Sequence, residues 1–272
     1  FHTIHGRAAA IATGAKVANP NLTIWQISGD GDGLAIGGNH FIHALRRNID
    51  LNMILLNNRI YGLTKGQYSP TSERGLVTKS SPYGTVEDPF RPAELAFGAR
   101  GRFFARCIAV DGAASVEVLK AAANHKGASV VEVLQNCVIF NDKTHAAFAG
   151  DKATRLEHTI TLRHGEKMLF GANNEKGLVF EDMRLKVVTV GQDGYTLDKI
   201  LTHDAHTKDT TLHSMLAAMK YPDYPVALGV IRSVEDEIVY DQAVEKQVEE
   251  VKAQSKIHCV DDLLHSGATW EI

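Results

Sequence analysis

An α/β fold, a parallel sheet covered by helices on both faces, is predicted for the first half of this sequence on two observations. Short β-rich apolar runs recur at residues 22–28, 51–56, 103–110 and 129–134. Between them lie stretches of helical character at residues 38–47, 92–99 and 113–123. Strands that alternate with helices in this way pair parallel, because each crossover helix returns the chain to the same edge of the sheet.

Each element has its own reason. Leu22 to Ser28 contains Ile24, Trp25 and Ile27 and stops at Gly29, so it reads as a buried strand. In residues 38–47 the apolar Phe41, Ile42 and Leu45 fall at helical spacing, and Arg46 and Arg47 sit near the end, where the helix dipole favours cations. A helix-like segment at residues 7–17 follows Gly6. Past residue 141 the texture changes. Residues 177–180 and 185–190 look like shorter strands, and residues 211–220 and 241–253 like amphipathic helices, the last with Glu245, Lys246 and Glu249 on a solvated face. Two regions are therefore expected: an α/β domain over 1–141 and a smaller C-terminal region over 142–272 that packs on it or on a partner.

Composition narrows the class. With 44% hydrophobic and 22% charged residues the chain is globular. A net charge of −3 and no Lys/Arg run longer than two speak against nucleic acid as partner. No stretch reaches the roughly 18 apolar residues of a membrane helix, and no basic leader precedes an apolar run at Phe1-His2-Thr3-Ile4-His5. Cys107, Cys137 and Cys259 are too few and too scattered for a disulfide framework, so a cytoplasmic location is the expectation. Because Phe1 is not an initiator methionine, the chain is expected either to begin after processing or to lack upstream residues.

The most informative segment is Gly29-Asp30-Gly31-Asp32-Gly33, directly after a strand. A dinucleotide fingerprint needs a third glycine, but either register meets Leu34 or Ile36 instead. An EF-hand beginning at Asp30 would need a ligand, a glycine and a glutamate where Leu34, Ala35 and Phe41 stand. The third reading is a loop holding Mg²⁺ against a diphosphate, since Mg²⁺ takes one or two protein oxygens plus phosphate oxygens. Asp30 supplies a carboxylate. Asn58 lies 28 residues on, at the end of the next strand, after a strand–loop–helix–strand path has been spent. A right-handed crossover sets the two side by side at the carboxyl ends of adjacent strands, where open α/β sheets bind ligands. A neutral amide there provides oxygen without further repelling the diphosphate.

These residues resemble a known family. GDG followed by Asn57-Asn58 resembles the thiamine-diphosphate-binding fold. The longer strings Gly29 to Ala44 and Asn57 to Gln67 are similar to the β subunit of 2-oxoacid:ferredoxin oxidoreductases. His5-Gly6-Arg7-Ala8, Leu134-Gln135-Asn136-Cys137 and the tail His265-Ser266-Gly267-Ala268-Thr269-Trp270 resemble the bacterial 2-oxoglutarate branch. The resemblance implies that Asp30, Asn58 and the Ile60 carbonyl ligate Mg²⁺. Gly29, Gly31 and Asp32 would lie along the diphosphate, and Gly62, Leu63 and Thr64 would close over it. Lys65 is expected to meet the substrate carboxylate, and His5 to touch cofactor or substrate.

The reaction implied is decarboxylation of a 2-oxoacid with the cofactor as electron sink. Two electrons then leave singly through a [4Fe-4S] cluster to ferredoxin, and coenzyme A takes the acyl group; in reverse the reaction fixes CO₂. An α subunit would supply the activating glutamate, in an (αβ)₂ assembly. Cys137 matches one cluster ligand, while the family's three others lie upstream of the matching start and are not in this sequence, so either that segment is left out or this form lacks the cluster. Alternatives remain: a pyruvate-using or broad-specificity oxidoreductase, a non-oxidative thiamine-diphosphate decarboxylase, or a non-catalytic subunit. Cys107 reads as a buried strand cysteine, and Cys259 has no motif. His40 and His43 read as packing behind the loop rather than as a metal pair. Tyr61 either stacks on the cofactor or packs.

Overall fold

The computed structural model describes residues 1–236, 238–268 and 270; Thr269 of the tail motif lies outside them. The chain opens with helix α1 (Ala8–Ala18), strand β1 (Trp25–Gly29), a π-helical turn (Asp32–Ile36), α2 (Gly38–Arg47) and β2 (Asn52–Asn57). An irregular stretch leads to α3 (Pro92–Gly98), β3 (Phe103–Ile108), α4 (Gly112–Asn124) and β4 (Ser129–Leu134). Then come α5 (Ala146–Ala149), α6 (Lys152–His158), β5 (Thr159–Leu162), β6 (Leu169–Phe170), β7 (Lys176–Glu181) and β8 (Arg184–Thr189). The chain finishes with α7 (Thr211–Ala218), β9 (Val226–Ser233), α8 (Tyr240–Gln254) and α9 (Val260–Leu264).

Six strands form the main sheet in the order β1-β2-β4-β3-β9-β5, and β6-β7-β8 form a small separate sheet. The first four strands are parallel, as the alternation predicts. The other two come from beyond residue 141: β9 runs antiparallel to β3, and β5 parallel to β9. An antiparallel neighbour needs no right-handed helical crossover, and such edges are common on otherwise parallel sheets. The chain accommodates it with a register shift between Phe104 and Ala105. Gly229, which pairs with Arg106 on one side and Leu162 of β5 on the other, has φ +84° and approaches the Leu162 backbone too closely for a Cβ.

Core packing explains why the sheet is buried from two sides. Met53, Leu55, Phe104 and Val130 pack under Ala9 and Ala12 of α1, Phe41 and Leu45 of α2, Ala96 of α3 and Leu216 of α7. The alternate residues Phe103, Ala105, Cys107 and Val131 pack under Val118 and Ala122 of α4. Near β1 this second face is bare: Trp25 is 39% and Ile27 60% exposed. Among the described residues no helix is long and apolar enough to cross a membrane.

Two buried histidines make the fold acid-sensitive. His125, packed on Phe103, and His145, bonded to the Asn57 carbonyl, are each depressed by burial from an ordinary 6.5 to about 4. The unfolded chain binds their protons at higher pH than the folded one. The stability they contribute is therefore present above pH 6.5 and lost as the pH falls toward 4, on the order of 3 kcal/mol for each. Neither ring nitrogen of His125 has a hydrogen-bond partner among the described residues. Hence His125→Leu is expected to move the acid-unfolding midpoint to lower pH in a circular-dichroism titration from pH 7 to 4. An unmoved midpoint would remove His125 from the groups that set it.

Candidate active site

The site is built where β1 and β2 end. In their parallel register Gly29 opposes Leu56, so the next residues on each strand, Asp30 and Asn57-Asn58, emerge side by side. The Asn58 backbone N–H donates to Asp30 Oδ1 at 3.4 Å, joining the two residues that the 28-residue spacing pairs. Asp30 is 1% exposed. Its Oδ2 accepts from the hydroxyls of Ser69 and Thr71, both buried. Burial raises the Asp30 carboxyl above its ordinary value, with the bonds from Ser69, Thr71 and Asn58 opposing.

The donor set suits a hard cation. Asn58 Oδ1 takes only the Ile60 N–H, at 3.3 Å, and the Ile60 carbonyl takes no backbone N–H among the described residues. Asp30 Oδ1 has only its long bond to Asn58. Three oxygens of a carboxylate, an amide and a carbonyl thus remain available, the ligand chemistry that Mg²⁺ takes alongside phosphate oxygens. Among the described residues no three His, Cys, Asp or Glu side chains gather into a metal site.

After β1 the backbone at Gly29 to Gly33, read from the sequence as a loop, is not irregular. It winds helically and passes through the π-helical turn into α2, with the Gly37 N–H donating to the Asp32 carbonyl at 2.9 Å. Asp32 clamps this turn: Oδ1 accepts from the Gly6 N–H at 2.7 Å and lies 3.2 Å from His5 Nδ1, and Oδ2 accepts from Ser28 Oγ at 3.0 Å. Gly6 is required there, because with φ +72° an added Cβ would lie 2.4 Å from the Ile36 side chain.

Tyr61 packs on the turn and also borders the cavity. Its hydroxyl donates to the Gly31 carbonyl at 2.9 Å, and its ring covers Gly31 so closely that a Cβ would lie 2.4 Å from it. Burial, then the charges of Asp30 and Asp32, raise the Tyr61 hydroxyl. Gly31→Ala is therefore expected to push the ring away and weaken binding of a diphosphate ligand by roughly tenfold. Pairing it with Tyr61→Ala should restore part of that loss, since two residues in contact do not act additively. Equal affinities for wild type and Gly31→Ala, measured by isothermal titration, would refute the packing role.

Residues 61–67 form a loop closed by the Tyr61 N–H donating to the Gln67 carbonyl at 2.8 Å and the Gly66 N–H donating to the Tyr61 carbonyl at 2.9 Å. An open cavity of about 850 Å³ runs from Phe1 and His5 past Gly29, Gly31, Asn58 and Ile60 to Gly62 and Leu63. Thr64 and Lys65 lie beyond its lining. Lys65 is exposed in the turn of the loop with φ +72°. Cys137 is half-buried and sits beneath the loop: a Cβ on Gly62 would be 4.0 Å from its Sγ. The turn it begins is tied to the cation loop, because the Asn141 side-chain amide donates to the carbonyls of Asn58 and Arg59 at 3.1 Å each.

The remaining candidates fall outside the cavity. Cys107 is buried in β3 and its thiol is raised by burial; Cys259 is exposed before α9. His40 contacts the Arg7 guanidinium, and His43 accepts from Arg46 Nε at 3.4 Å, so the two share no third ligand. The sequence reading missed Ser69 and Thr71. Their Ser-Pro-Thr-Ser string signals only a turn, and nothing local reveals that it folds onto a carboxylate some 40 positions away.

Comparison with known proteins agrees with this geometry. Residues 1–133 match the family described as thiamine pyrophosphate enzyme, C-terminal TPP binding domain. The chain is 45% identical over its whole length to the 2-oxoglutarate oxidoreductase subunit KorB of Mycobacterium tuberculosis, of which it spans 72%. It is 52% identical over half its length to the 2-oxoglutarate synthase subunit KorB of Archaeoglobus fulgidus, spanning 51% of that protein. Among solved structures, the 2-oxoglutarate:ferredoxin oxidoreductase of Magnetococcus marinus, with 2-oxoglutarate, coenzyme A and succinyl-CoA bound, superimposes with a TM-score of 0.69. That match has 26% identity and covers 97% of this chain and 74% of that one.

Proposed function

The chain belongs to the β subunits of 2-oxoacid:ferredoxin oxidoreductases, the family of KorB, and from that premise we propose that it binds thiamine diphosphate for the oxidative decarboxylation of 2-oxoglutarate. The products are succinyl-CoA, CO₂ and reduced ferredoxin, and the reaction runs in reverse as CO₂ fixation. The observation that carries this reading is the meeting of Asp30 and Asn58 at the carboxyl ends of β1 and β2.

Asp30, Asn58 and the Ile60 carbonyl would hold Mg²⁺, which when bound would offset the diphosphate charge. Gly29, Gly31 and Asp32 shape the strand-to-helix turn along it, with Tyr61 holding the turn down. Gly62, Leu63 and Thr64 cover it. When bound, thiamine diphosphate supplies the electron sink that lets CO₂ leave the 2-oxo carbon. His5, fixed by Asp32 at the cavity mouth, contacts cofactor or substrate, and Lys65, exposed on the loop beyond the cavity lining, is the cation that would meet the substrate carboxylate. Cys137, beneath Gly62 of the cofactor loop, would be one ligand of a [4Fe-4S] cluster, which would supply one-electron transfer to ferredoxin. The α subunit covers the bare face around Trp25 and Ile27, which border the cavity.

The test is a substrate panel on the complex with its α subunit, assayed anaerobically with coenzyme A and ferredoxin. The expected kcat/KM for 2-oxoglutarate is at least tenfold above that for pyruvate, because a site that binds a second carboxylate loses that partner with pyruvate. Equal values would make the enzyme a broad-specificity 2-oxoacid oxidoreductase.

A further inference from the structure

Behind the candidate cation site runs a line of buried polar side chains that the reaction does not use directly. Arg106 on β3 and Glu132 on β4 are register partners, 7% and 2% exposed. Arg106 Nε donates to Glu132 Oε2 at 2.7 Å. The other carboxylate oxygen, Oε1, accepts from the Asn57 side-chain amide at 2.7 Å. Asn57 Oδ1 in turn lies 3.0 Å from the Thr71 hydroxyl, which contacts Asp30, and accepts from the Arg59 N–H at 3.3 Å. Asn57 and Thr71 are 3% and 2% exposed.

The Asn57 backbone is fixed as well. Its carbonyl accepts from the Gln135 N–H at 3.0 Å and lies 3.0 Å from His145 Nε2. Every freedom of the residue before Asn58 is thus removed from the sheet side. Burial alone would raise the Glu132 carboxyl, but the Arg106 charge and the bonds from Arg106 and Asn57 hold it below its ordinary value, so it is a carboxylate that accepts on both oxygens. An ion pair enclosed by sheet is a poor way to gain stability, since apolar residues of similar volume commonly do as well. Its geometry here serves another end: it aims one amide.

We propose that Glu132, anchored by Arg106, is a positioning residue that orients Asn57 and through it Thr71, Asp30 and the Asn58 turn, for binding of Mg²⁺ and thiamine diphosphate. This rests on the function proposed above. Glutamine at 132 has one acceptor where two donors point. With that acceptor turned to the Arg106 charge, the glutamine NH2 faces the Asn57 NH2, and the bond to Asn57 then survives only if the Asn57 amide turns over, which takes the acceptor away from the Arg59 N–H and from Thr71. Supporting groups behind metal ligands commonly change metal affinity by 10- to 100-fold.

The experiment uses the full chain in complex with its α subunit. The Kd of thiamine diphosphate at saturating Mg²⁺ is measured by isothermal titration, together with Tm without cofactor. Glu132→Gln is compared with the paired Arg106→Leu/Glu132→Leu variant, which keeps an apolar core, and with Val131→Ala, a buried neighbour facing the other side of the sheet. The expected result is a Kd raised at least tenfold in Glu132→Gln and in the paired variant, whatever their Tm, and a wild-type Kd in Val131→Ala despite a lower Tm. A wild-type Kd in the paired variant would overturn the proposal, leaving the ion pair a structural element only. So would a Kd in Val131→Ala that rises in step with its Tm loss. Absence of binding by the wild-type complex would instead sink the function proposed above, and this inference with it.

Discussion

Asp30→Ala is expected to abolish Mg²⁺-dependent binding of thiamine diphosphate, raising the Kd at least ~100-fold, beyond what loss of a supporting group costs. Asp30 is the one carboxylate among the three oxygens at the ends of β1 and β2, and neither Asn58 nor the Ile60 carbonyl can neutralise the cation. Folding is expected to survive. Burial makes the charged Asp30 costly in the cofactor-free protein, and the hydroxyls it releases have other partners: Ser69 lies 3.2 Å from Thr71 and 3.3 Å from Ser72. Isothermal titration and a thermal melt of the complex therefore separate the two effects: lost binding with a Tm within a few degrees of wild type. Binding that persists in Asp30→Ala would place the cation elsewhere.

The second large effect is expected from Cys137→Ser. A serine hydroxyl is a poor iron ligand, so iron is expected to fall from about four per αβ pair to near zero. 2-Oxoglutarate-dependent reduction of ferredoxin should fall at least ~100-fold, while thiamine diphosphate still binds. The split follows from position. Cys137 sits under Gly62, at the head of a turn strapped to the Asn58 loop by Asn141, yet it contributes no oxygen to the cation site. Full iron content in the variant, measured after anaerobic purification, would remove Cys137 from the cluster.

The Asp30–Asn58 pairing was legible in the sequence because the crossover rule leaves little choice. Twenty-eight residues filled by loop, helix and strand must return beside the strand they left. The four parallel strands were legible for the same reason. β9 was not: residues 226–233 were not read as a strand, and its antiparallel pairing with β3 includes a register shift that composition does not signal. Loop detail was also hidden: Gly29 to Gly33 reads as a break, yet the backbone there winds into a helical turn held by Asp32. Lys65 stands exposed on its loop, outside the cavity lining, because the left-handed turn at Lys65 and Gly66 turns the chain back toward Gln67.

One signal could have been read and was not. Arg106 and Glu132 are opposite charges inside two otherwise apolar buried strands, Phe-Phe-Ala-Arg-Cys-Ile and Ser-Val-Val-Glu-Val-Leu. Buried charges rarely stand alone, so two in neighbouring strands imply each other. What the sequence could not disclose was their third partner, Asn57, since that contact depends on the register of β2 with β4.

The most direct test of the central claim is a single anaerobic turnover. The αβ complex, loaded with Mg²⁺ and thiamine diphosphate, is mixed with 2-oxoglutarate and coenzyme A, and cluster absorbance is followed alongside CO₂ release. Bleaching of the cluster in step with CO₂, with succinyl-CoA as product, is the expected result. CO₂ released while the cluster stays oxidised would contradict it and make this chain part of a non-oxidative decarboxylase.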